Sequence, residues 1–379
     1  MPWKMMDVRE QRVQFVVAAS RREKSFSALC EEFNVSRPTG RLWLQRYREQ
    51  GIAGIAERSR APQHRPTQTP AWLEAQVVEL RRQYPDWGAR KLQVLLSRQG
   101  LELTRSTIHR ILLRQGLVRE QDRHAAAVQR FERSQANELW QMDFKGPLQQ
   151  GNESGPLSVL DDHSRYVIAL RAMEDLRGET VREQMEGALA ECGVPQAMLM
   201  DHGTPWWSMR SGGGLTYLSL WLMRQGIQLH WSGIRHPQTQ GKVERFHGAL
   251  QRAVDRRMGD EKLTQQWLDE YRWEHNQVRP HEALGMATPA SRWRPSARRY
   301  DPHPMAYEYE PGAWVLKVDC QGKLDVGGHK WQINQALRGE RVQLIRIEER
   351  VQVYYCRTLI RELDFARQRS TIVDRWRAD

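Results

Sequence analysis

The chain has 379 residues and a formal net charge of +12. Residues 1–130 contain 24 Lys and Arg against 13 Asp and Glu, a net charge of +11, and this uneven distribution indicates a polyanionic partner rather than charge that only serves solubility. The sequence has no long apolar run, no signal-peptide pattern and no zinc-ligand spacing among its four cysteines. These features argue against a membrane or zinc-finger protein and predict a soluble protein of the reducing cytoplasm.

Residues 1–50 are predicted to form a helix-turn-helix domain. Amphipathic patterns indicate helices over 8–21 and 26–33, and Ser36 is a candidate N-cap for a third helix that continues to Arg48. In such a domain the last helix enters the major groove of DNA. A three-helix bundle with a solvated basic face is the alternative.

The third helix has an apolar side and a basic side. Leu42, Leu44 and Tyr47 are predicted to pack against the other two helices. The basic side would then face a DNA groove, because charged side chains on the surface of a recognition helix contact phosphates and base edges. The residues predicted to contact DNA from this side are Arg37, Arg41, Gln45 and Arg48.

The segment 51–70 is predicted to be a linker, because it is rich in proline and has little apolar content in its second half. Arg60 and Arg65 are candidate contacts of this linker to phosphates or to the minor groove. Residues 71–118 then predict a second helix-turn-helix domain, with a break at 84–88 and helices over 72–83, 89–98 and 107–114. Its candidate DNA-reading residues are Arg105, Ser106, His109 and Arg110.

The rest of the chain predicts an α/β domain followed by a β domain. After a basic, largely helical connector over 119–137, residues 138–300 alternate in the order strand, strand, strand, helix, strand, helix, strand, helix, as in the ribonuclease H-like fold. Residues 301–379 predict a small five-stranded β-barrel, with strands over 313–318, 323–326, 329–333, 341–347 and 351–356. The predicted fold class is therefore multidomain: all-α helix-turn-helix domains, an α/β ribonuclease H-like core and a C-terminal small β-barrel.

Three acids of the α/β domain form a candidate metal site. Asp143 and Asp201 each lie at or near the end of an apolar, strand-like run, where a carboxylate needs a compensating partner. Glu244 lies in the first turns of an amphipathic helix that follows Pro237 and Gly241. Three carboxylates suit magnesium, a hard ion that prefers oxygen ligands.

The order Asp, Asp, Glu, with Pro-Gln-Thr-Gln-Gly-Lys-Val-Glu at the third acid, resembles the retroviral-integrase-type DDE transposases. Within that superfamily it is most similar to bacterial insertion-sequence transposases. The motif Asn-x-x-Arg-Pro-His-x-Ala-Leu at 276–284, followed by Thr288-Pro289, is a further mark of those enzymes. The resemblance is strong over roughly 139–293. One departure is His202, which stands where the family usually has Asn.

The resemblance implies a DNA transposase that is cytoplasmic and associated with the nucleoid. It would bind the terminal inverted repeats of its mobile element, cut at the ends and join the 3′-hydroxyls to target DNA. Two Mg²⁺ ions, for which Mn²⁺ would substitute, would be held by Asp143, Asp201 and Glu244, with Asp143 as the bridge. Self-association as a dimer or larger assembly on paired double-stranded DNA ends is expected, and no membrane partner.

Other polar residues of this region have two interpretations each. Asp161 and Asp162 are rival acids, but Asp162-His163-Ser164-Arg165 fits a turn. Trp206 and Trp207 either stack on a splayed base or pack inside the protein. Lys242 is a predicted DNA contact, and His247 is predicted either to touch the scissile phosphate or to hydrogen-bond to Glu244. Arg279 and His281 are predicted to brace the active site, with a direct DNA contact as the alternative.

Two other classes of protein remain alternatives to a transposase. A DNA-binding regulator with an inactive core would not need the intact set of three acids. A ribonuclease H-type nuclease would not need two helix-turn-helix domains or the Arg-Pro-His motif. Metal-dependent strand transfer on the end sequences of the element would distinguish all three classes.

Overall fold

The computed structural model describes residues 7–22, 24–57, 68–118, 132–149, 155–209, 213–232, 241–258 and 262–373. The chain divides into two compact units, Met1–Thr69 and Pro70–Asp379. Most of the predicted linker at 58–67 and most of the predicted connector at 119–131 lie outside the described residues. Among the described helices, none is long and apolar enough to cross a membrane.

The first unit contains three helices, α1 (Val8–Arg21), α2 (Phe26–Glu32) and α3 (Arg37–Gln50). The hydroxyl of Ser36 accepts a hydrogen bond from the backbone N–H of Thr39, which caps α3 as predicted. A 3₁₀ helix over Gly51–Ile55 follows, and Ile55 is fully buried in the apolar core of this unit. The structured part of the first domain therefore extends five residues into the segment that was predicted to be linker.

The inward face of α3 differs from the predicted one. Gly40 packs so closely that a Cβ atom there would lie 2.8 Å from the Phe15 ring. Trp43 packs against the same core, whereas Leu42 is 45% exposed. The prediction that Leu42 packs inside was wrong, because the helical period places Gly40, Trp43 and Tyr47 on the inner side and Leu42 on the outer side.

The second unit begins with α4 (Ala71–Gln83), α5 (Ala89–Arg98) and α6 (Arg105–Arg114). Thr104 caps α6 by accepting a hydrogen bond from the N–H of Thr107. The three helices enclose their own apolar core, in which Trp87 of the turn between α4 and α5 is fully buried. This is the second helix-turn-helix domain that the sequence predicts.

A five-stranded mixed sheet forms the centre of the α/β domain, with strand order β3-β2-β1-β4-β7. Strand β1 is antiparallel to β2 and parallel to β4. The elements follow the predicted order, and a short hairpin, β5–β6, comes between β4 and α8. Their bounds are β1 (Leu139–Phe144), β2 (Leu157–Asp161), β3 (Val167–Arg171), α7 (Gly178–Cys192), β4 (Ala197–Met200), β5 (Trp207–Ser208), β6 (Gly214–Leu215), α8 (Tyr217–Arg224), β7 (Gln228–Trp231), α9 (Gly241–Arg257) and α10 (Gln265–Trp273).

Helices cover both faces of this sheet, as burial of an all-apolar sheet requires. On one face α7 and α8 pack through residues such as Val181 and Met185. On the other face α9 and α10 pack through Phe246, Leu250 and Tyr271. A π-helical turn over Glu274–Val278 continues α10, and it begins the Asn-x-x-Arg-Pro-His motif.

The C-terminal region contains seven strands rather than the five that were predicted. Five of them form an antiparallel sheet of order β14-β13-β12-β11-β8, and β9 pairs with β10 in a separate hairpin. Within the described residues β8 and β14 are the edges of this sheet, so the closed barrel stays a prediction. The bounds are β8 (Trp314–Lys317), β9 (Lys323–Val326), β10 (His329–Gln332), β11 (Arg341–Ile347), β12 (Arg350–Tyr355), β13 (Thr358–Asp364) and β14 (Arg369–Ile372).

The C-terminal sheet shares an apolar cluster with the α/β domain. Asn334 donates hydrogen bonds to the carbonyls of Gly213 and Leu215, and the buried Arg361 donates to the carbonyls of Ile333 and Gly213. The bonds to Gly213 and Leu215 attach the C-terminal region to strand β6 and to the end of the loop that follows Asp201.

Candidate active site

Asp143 and Asp201 lie side by side on neighbouring parallel strands. The register pairs Leu139 with Ala197 and Gln141 with Leu199, so two further steps along both strands bring Asp143 opposite Asp201. Parallel neighbours are about 4.8 Å apart, and paired residues point to the same face of the sheet. The structure therefore brings the first two predicted acids together at one edge of the sheet.

Asp201 is held in one orientation by its own loop. Its Oδ1 accepts hydrogen bonds of 2.8 Å from the backbone N–H of Gly203 and from the indole N–H of Trp206. A Cβ atom at Gly203 would lie 2.8 Å from the same oxygen, so a larger residue there would displace the carboxylate. Trp206 in turn stacks on Phe144, with ring centroids 5.1 Å apart.

Trp206 and Trp207 pack inside the protein rather than offering a surface for a base. They are only 1% and 5% exposed, and Trp207 contacts the ring of Trp231 edge-on. Of the two interpretations of this pair, packing is confirmed. The hydrogen bond by which the Trp206 indole orients Asp201 could not be predicted, because the pattern of apolar residues contains no information on hydrogen-bond partners.

Helix α9 brings Glu244 and His247 to the same edge of the sheet. Glu244 is exposed in the first turn of α9, and His247 is buried one turn later. The Nδ1 atom of His247 lies 3.8 Å from Oδ2 of Asp143. Burial, together with the nearby charge of Lys145, lowers the pKa of His247 to about 4, so its imidazole is neutral at pH 7. His247 therefore lies inside the candidate site beside Asp143, and its contact with DNA stays a prediction.

The electrostatics of Asp143 link the three acids. Burial raises its pKa most, the charges of Asp201 and Glu244 raise it further, and the backbone N–H of Phe144 offsets part of the shift, which leaves a pKa of about 7. Carboxylates raise one another's pKa in this way when they share a site without a cation.

The donor set fits a hard divalent cation in its chemistry, because it consists of carboxylate oxygens that repel one another. Within the described residues, no three His, Cys, Asp or Glu side chains lie close enough to hold a metal ion together. Residues 233–240, which lead into Glu244, and 210–212 lie outside that description.

The rival acids Asp161 and Asp162 have structural roles, as the turn interpretation predicts. Both are fully buried, and Asp161 accepts hydrogen bonds from Ser164 and from the N–H of Asn137. Asp162 accepts bonds from Gln141 and from the N–H of Arg133, and it pairs with Lys242 at 2.5 Å. The side chain of Lys242 is 13% exposed and is engaged in this ion pair, and its contact with DNA stays a prediction.

The Asn-x-x-Arg-Pro-His motif acts away from the three acids. Asn276 exchanges two hydrogen bonds with the backbone of Val167, which holds β3. Arg279 is buried and forms an ion pair of 3.1 Å with Asp86 in the turn between α4 and α5. Burial, followed by the charge of Lys91, lowers the pKa of His281 to about 3, so that imidazole is neutral. Arg279 therefore braces the second helix-turn-helix domain rather than the acids themselves.

The predicted DNA-reading side chains are exposed wherever the structure describes them. On α3 the residues Arg37, Arg41 and Gln45 line a shallow groove, and Arg48 is exposed beside it. Arg60 and Arg65 lie outside the described residues. On α6 every predicted DNA-reading residue is exposed, namely Arg105, Ser106, His109 and Arg110.

Comparisons with known proteins agree with this arrangement. Residues 133–237 and 225–289 match integrase core domains. Residues 39–112 match a homeodomain-like domain, and residues 11–63 match a helix-turn-helix domain. Over these residues the chain is therefore similar to integrase cores and to helix-turn-helix domains.

Two similar proteins come from bacterial insertion elements. The chain is 26% identical over 235 residues to a 31.7 kDa protein of insertion element IS407 from Burkholderia multivorans, covering 58% of this chain and 79% of that protein. It is 26% identical over 257 residues to a 39.2 kDa protein of insertion element IS476 from Xanthomonas euvesicatoria, covering 63% and 69%. Together with the matched domains, they confirm the predicted resemblance to insertion-sequence transposases of the DDE superfamily.

A solved structure is also similar. The intasome of simian T-cell lymphotropic virus in complex with PP2A regulatory subunit B56 gamma matches with 15% identity and a TM-score of 0.39. The match covers 74% of this chain and 96% of that chain.

Proposed function

We propose that this protein is a DNA transposase that binds the terminal inverted repeats of its element, cuts at the ends and joins the 3′-hydroxyls to target DNA. The observation that carries the proposal is the proximity of Asp143 on β1 to Asp201, which directly follows the parallel strand β4. Helix α9 presents Glu244 at the same edge of the sheet. The two helix-turn-helix domains supply exposed basic helices for the DNA.

In this proposal Asp143, Asp201 and Glu244 would hold two Mg²⁺ ions, and Mn²⁺ would substitute for Mg²⁺. Bound ions of this kind activate an oxygen nucleophile and stabilise the leaving oxygen. The chain's own residues prepare the site: Trp206 and Gly203 fix one oxygen of Asp201. The neutral His247 beside Asp143 adds no positive charge that would compete with a cation.

A strand transferase joins the cut DNA end to another DNA molecule, whereas a nuclease only hydrolyses the DNA. Purified full-length protein, a labelled duplex with the inverted repeat that borders its gene, and a target plasmid are mixed with Mg²⁺. We expect labelled ends to become covalently joined to the plasmid through their 3′-hydroxyls. Cutting without any joining would support a ribonuclease H-type nuclease instead, and binding without cutting would support a DNA-binding regulator.

The pKa of Asp143 predicts a pH dependence of cation binding. The folded, cation-free protein keeps a proton on Asp143 up to about pH 7, whereas the unfolded chain releases it near 3.8. Between these values the folded state binds more protons, so its stability falls as the pH rises. A cation competes with that proton, and its stabilising effect should therefore grow as the pH rises through about 7.

Thermal unfolding with and without Mg²⁺, at about one pH unit on either side of neutrality, measures this effect. We expect a larger rise in Tm at the higher pH, and Asp143→Asn should abolish the pH dependence. An equal rise in the Tm of the wild-type protein at both pH values would contradict cation binding at Asp143. The same pH-dependent rise in Asp143→Asn as in the wild type would also contradict it.

Self-association is part of the same proposal. One active site acts on one strand at a time, so two element ends need at least two subunits, and twofold symmetry is the simplest way to pair equivalent ends. We propose a dimer or larger assembly in which a subunit bound to one end cuts the other. Mixing Glu244→Gln with a DNA-binding variant that keeps its acids should restore cutting. No restoration, with both proteins folded and associated, would mean that each subunit cuts the end it binds.

A further inference from the structure

The turn over 84–88, between α4 and α5, docks on the α/β domain through a buried ion-pair network. The side chain of Asp86 is 1% exposed. It accepts hydrogen bonds from Arg257 at 3.1 and 2.5 Å and from Arg279 at 3.1 Å. Arg257 also binds Glu274 with two bonds of 2.6 and 3.0 Å. We call these four residues the Asp86 network.

Further contacts extend the same interface on both sides of the Asp86 network. Arg256 donates a hydrogen bond of 3.0 Å to the carbonyl of Pro85, and Arg98 donates one of 2.9 Å to the carbonyl of Val278. Val278 itself packs against the apolar core of the second helix-turn-helix domain. The domain is therefore attached to the α/β domain by directional bonds and by packing, and not by a chain connection alone.

The buried charges of the Asp86 network restrict the orientation of the docked domain. Burial alone would raise the pKa of Asp86, but the charges of Arg279 and Arg257 outweigh it and lower the pKa below its ordinary value. Asp86 is thus ionised at neutral pH. Two guanidinium groups approach one carboxylate from fixed directions, which restricts rotation of the docked domain more than an apolar patch would.

Helix α9 connects this interface to the three acids. Glu244 lies in its first turn, and Arg256 and Arg257 lie in its last turn. At about 1.5 Å per residue, the thirteen steps from Glu244 to Arg257 span about 20 Å of one continuous helix. The C-terminal end of the helix that carries the third acid therefore binds the second helix-turn-helix domain.

On the other side of the interface, α6 is tied to the same turn. The buried Arg81 of α4 donates hydrogen bonds to the carbonyl of Trp87 and to that of Leu117, just beyond α6. The exposed residues of α6, including Arg105 and Arg110, therefore belong to a body that is bonded through Asp86 to α9.

We propose that Asp86 is a positioning residue that fixes the distance between DNA held by α6 and Glu244, and so determines which phosphodiester is cut. The proposal rests on the proposed function, because it needs a DNA-cutting site. Asp86 touches neither DNA nor the reacting atoms; it acts through Arg257 and Arg279.

The first test maps the cut position on a labelled end duplex at nucleotide resolution, with full-length Asp86→Asn. We expect a several-fold increase in the share of products cut at neighbouring phosphodiesters, with the DNase footprint of α6 unchanged. Glu282→Gln is the matched control, since Glu282 pairs with Arg90 at 3.5 Å in the same region but is more than half exposed. A lower yield with one unchanged cut position would mean a purely structural role and would overturn the proposal.

A second test needs no DNA and separates this proposal from the proposed function. Amide hydrogen exchange on the full-length protein should show faster exchange at 274–279 and 84–88 in Asp86→Asn, while the amides inside α5 and α6 stay protected. Unchanged exchange at the interface would overturn the proposal even if cutting is seen. If Asp86→Asn unfolds α5 and α6, Arg257→Lys replaces it in both tests, because that variant keeps the charge and loses the planar fork.

Discussion

The two helix-turn-helix domains have the same plan and different attachments. The first domain closes its own core with the 3₁₀ helix Gly51–Ile55 and belongs to the compact unit Met1–Thr69. The second domain belongs to the unit that contains the acids, and the buried Asp86 fixes it there. The long-range ion pair described in the first unit, Arg12 with Glu57, is exposed at 3.3 Å.

This difference suggests a division of labour. A domain that is separate from the catalytic unit can bind DNA without constraining where the acids lie. A domain bonded to α9 sets the register of DNA relative to Glu244. The comparison also shows why residue type alone does not reveal a role: Arg110 and Arg257 are both arginines on helices, and only one is exposed.

The largest expected effect comes from breaking the buried attachment. Arg257→Met leaves Asp86 and Glu274 with one buried partner fewer, and removing one member of a buried pair costs about 3 kcal/mol. The matched change in the first unit, Glu57→Gln, removes an exposed partner and should cost about 0.5 kcal/mol or less. Native-state hydrogen exchange reports the two units separately and measures both values. Equal losses of unfolding free energy in the two units would contradict the difference between the buried and the exposed attachment.

A smaller effect separates DNA contacts made by the two domains. Arg41→Ala and Arg110→Ala should each flatten the slope of log Kobs against log salt concentration by about one unit, because each substitution removes one contact between an arginine and a phosphate. Fluorescence anisotropy with the end duplex measures the slope, with the exposed Arg9→Ala and Arg82→Ala as controls. A change with Arg41→Ala only would mean that the second domain docks on the core without holding phosphate through Arg110.

Local signals in the sequence predicted most of the elements. The bounds of α1 at Val8–Arg21, α5 at Ala89–Arg98 and β11 at Arg341–Ile347 agree with the predicted spans. Apolar periodicity and capping residues act within a few positions, and they are visible without knowledge of the fold. The strand β13 was missed because its charged Arg361 and Glu362 hide the alternation, although the buried Arg361 donates to the carbonyls of Gly213 and Ile333, far away in the chain.

The acids of the candidate site were found from the sequence, and their surroundings were not. Asp143, Asp201 and Glu244 stood out because a carboxylate in an apolar context is costly. The partners of neighbouring residues are far away in the chain: Lys242 meets Asp162 across 80 positions, and Arg257 meets Asp86 across 171. No periodic pattern carries such information, so the ion pair of Lys242 with Asp162 and the position of His247 beside Asp143 could not be predicted from the sequence.

The central claim is that the three acids perform the chemistry while the helix-turn-helix domains hold the DNA. Its most direct test is the joining assay with full-length Asp143→Asn, Asp201→Asn and Glu244→Gln, and with the exposed Glu183→Gln as control. We predict that each of the first three abolishes cutting and joining and retains binding of the end duplex, while the control keeps full activity. Any of the three that keeps more than a few per cent of wild-type joining in Mg²⁺ would contradict the assignment of that acid.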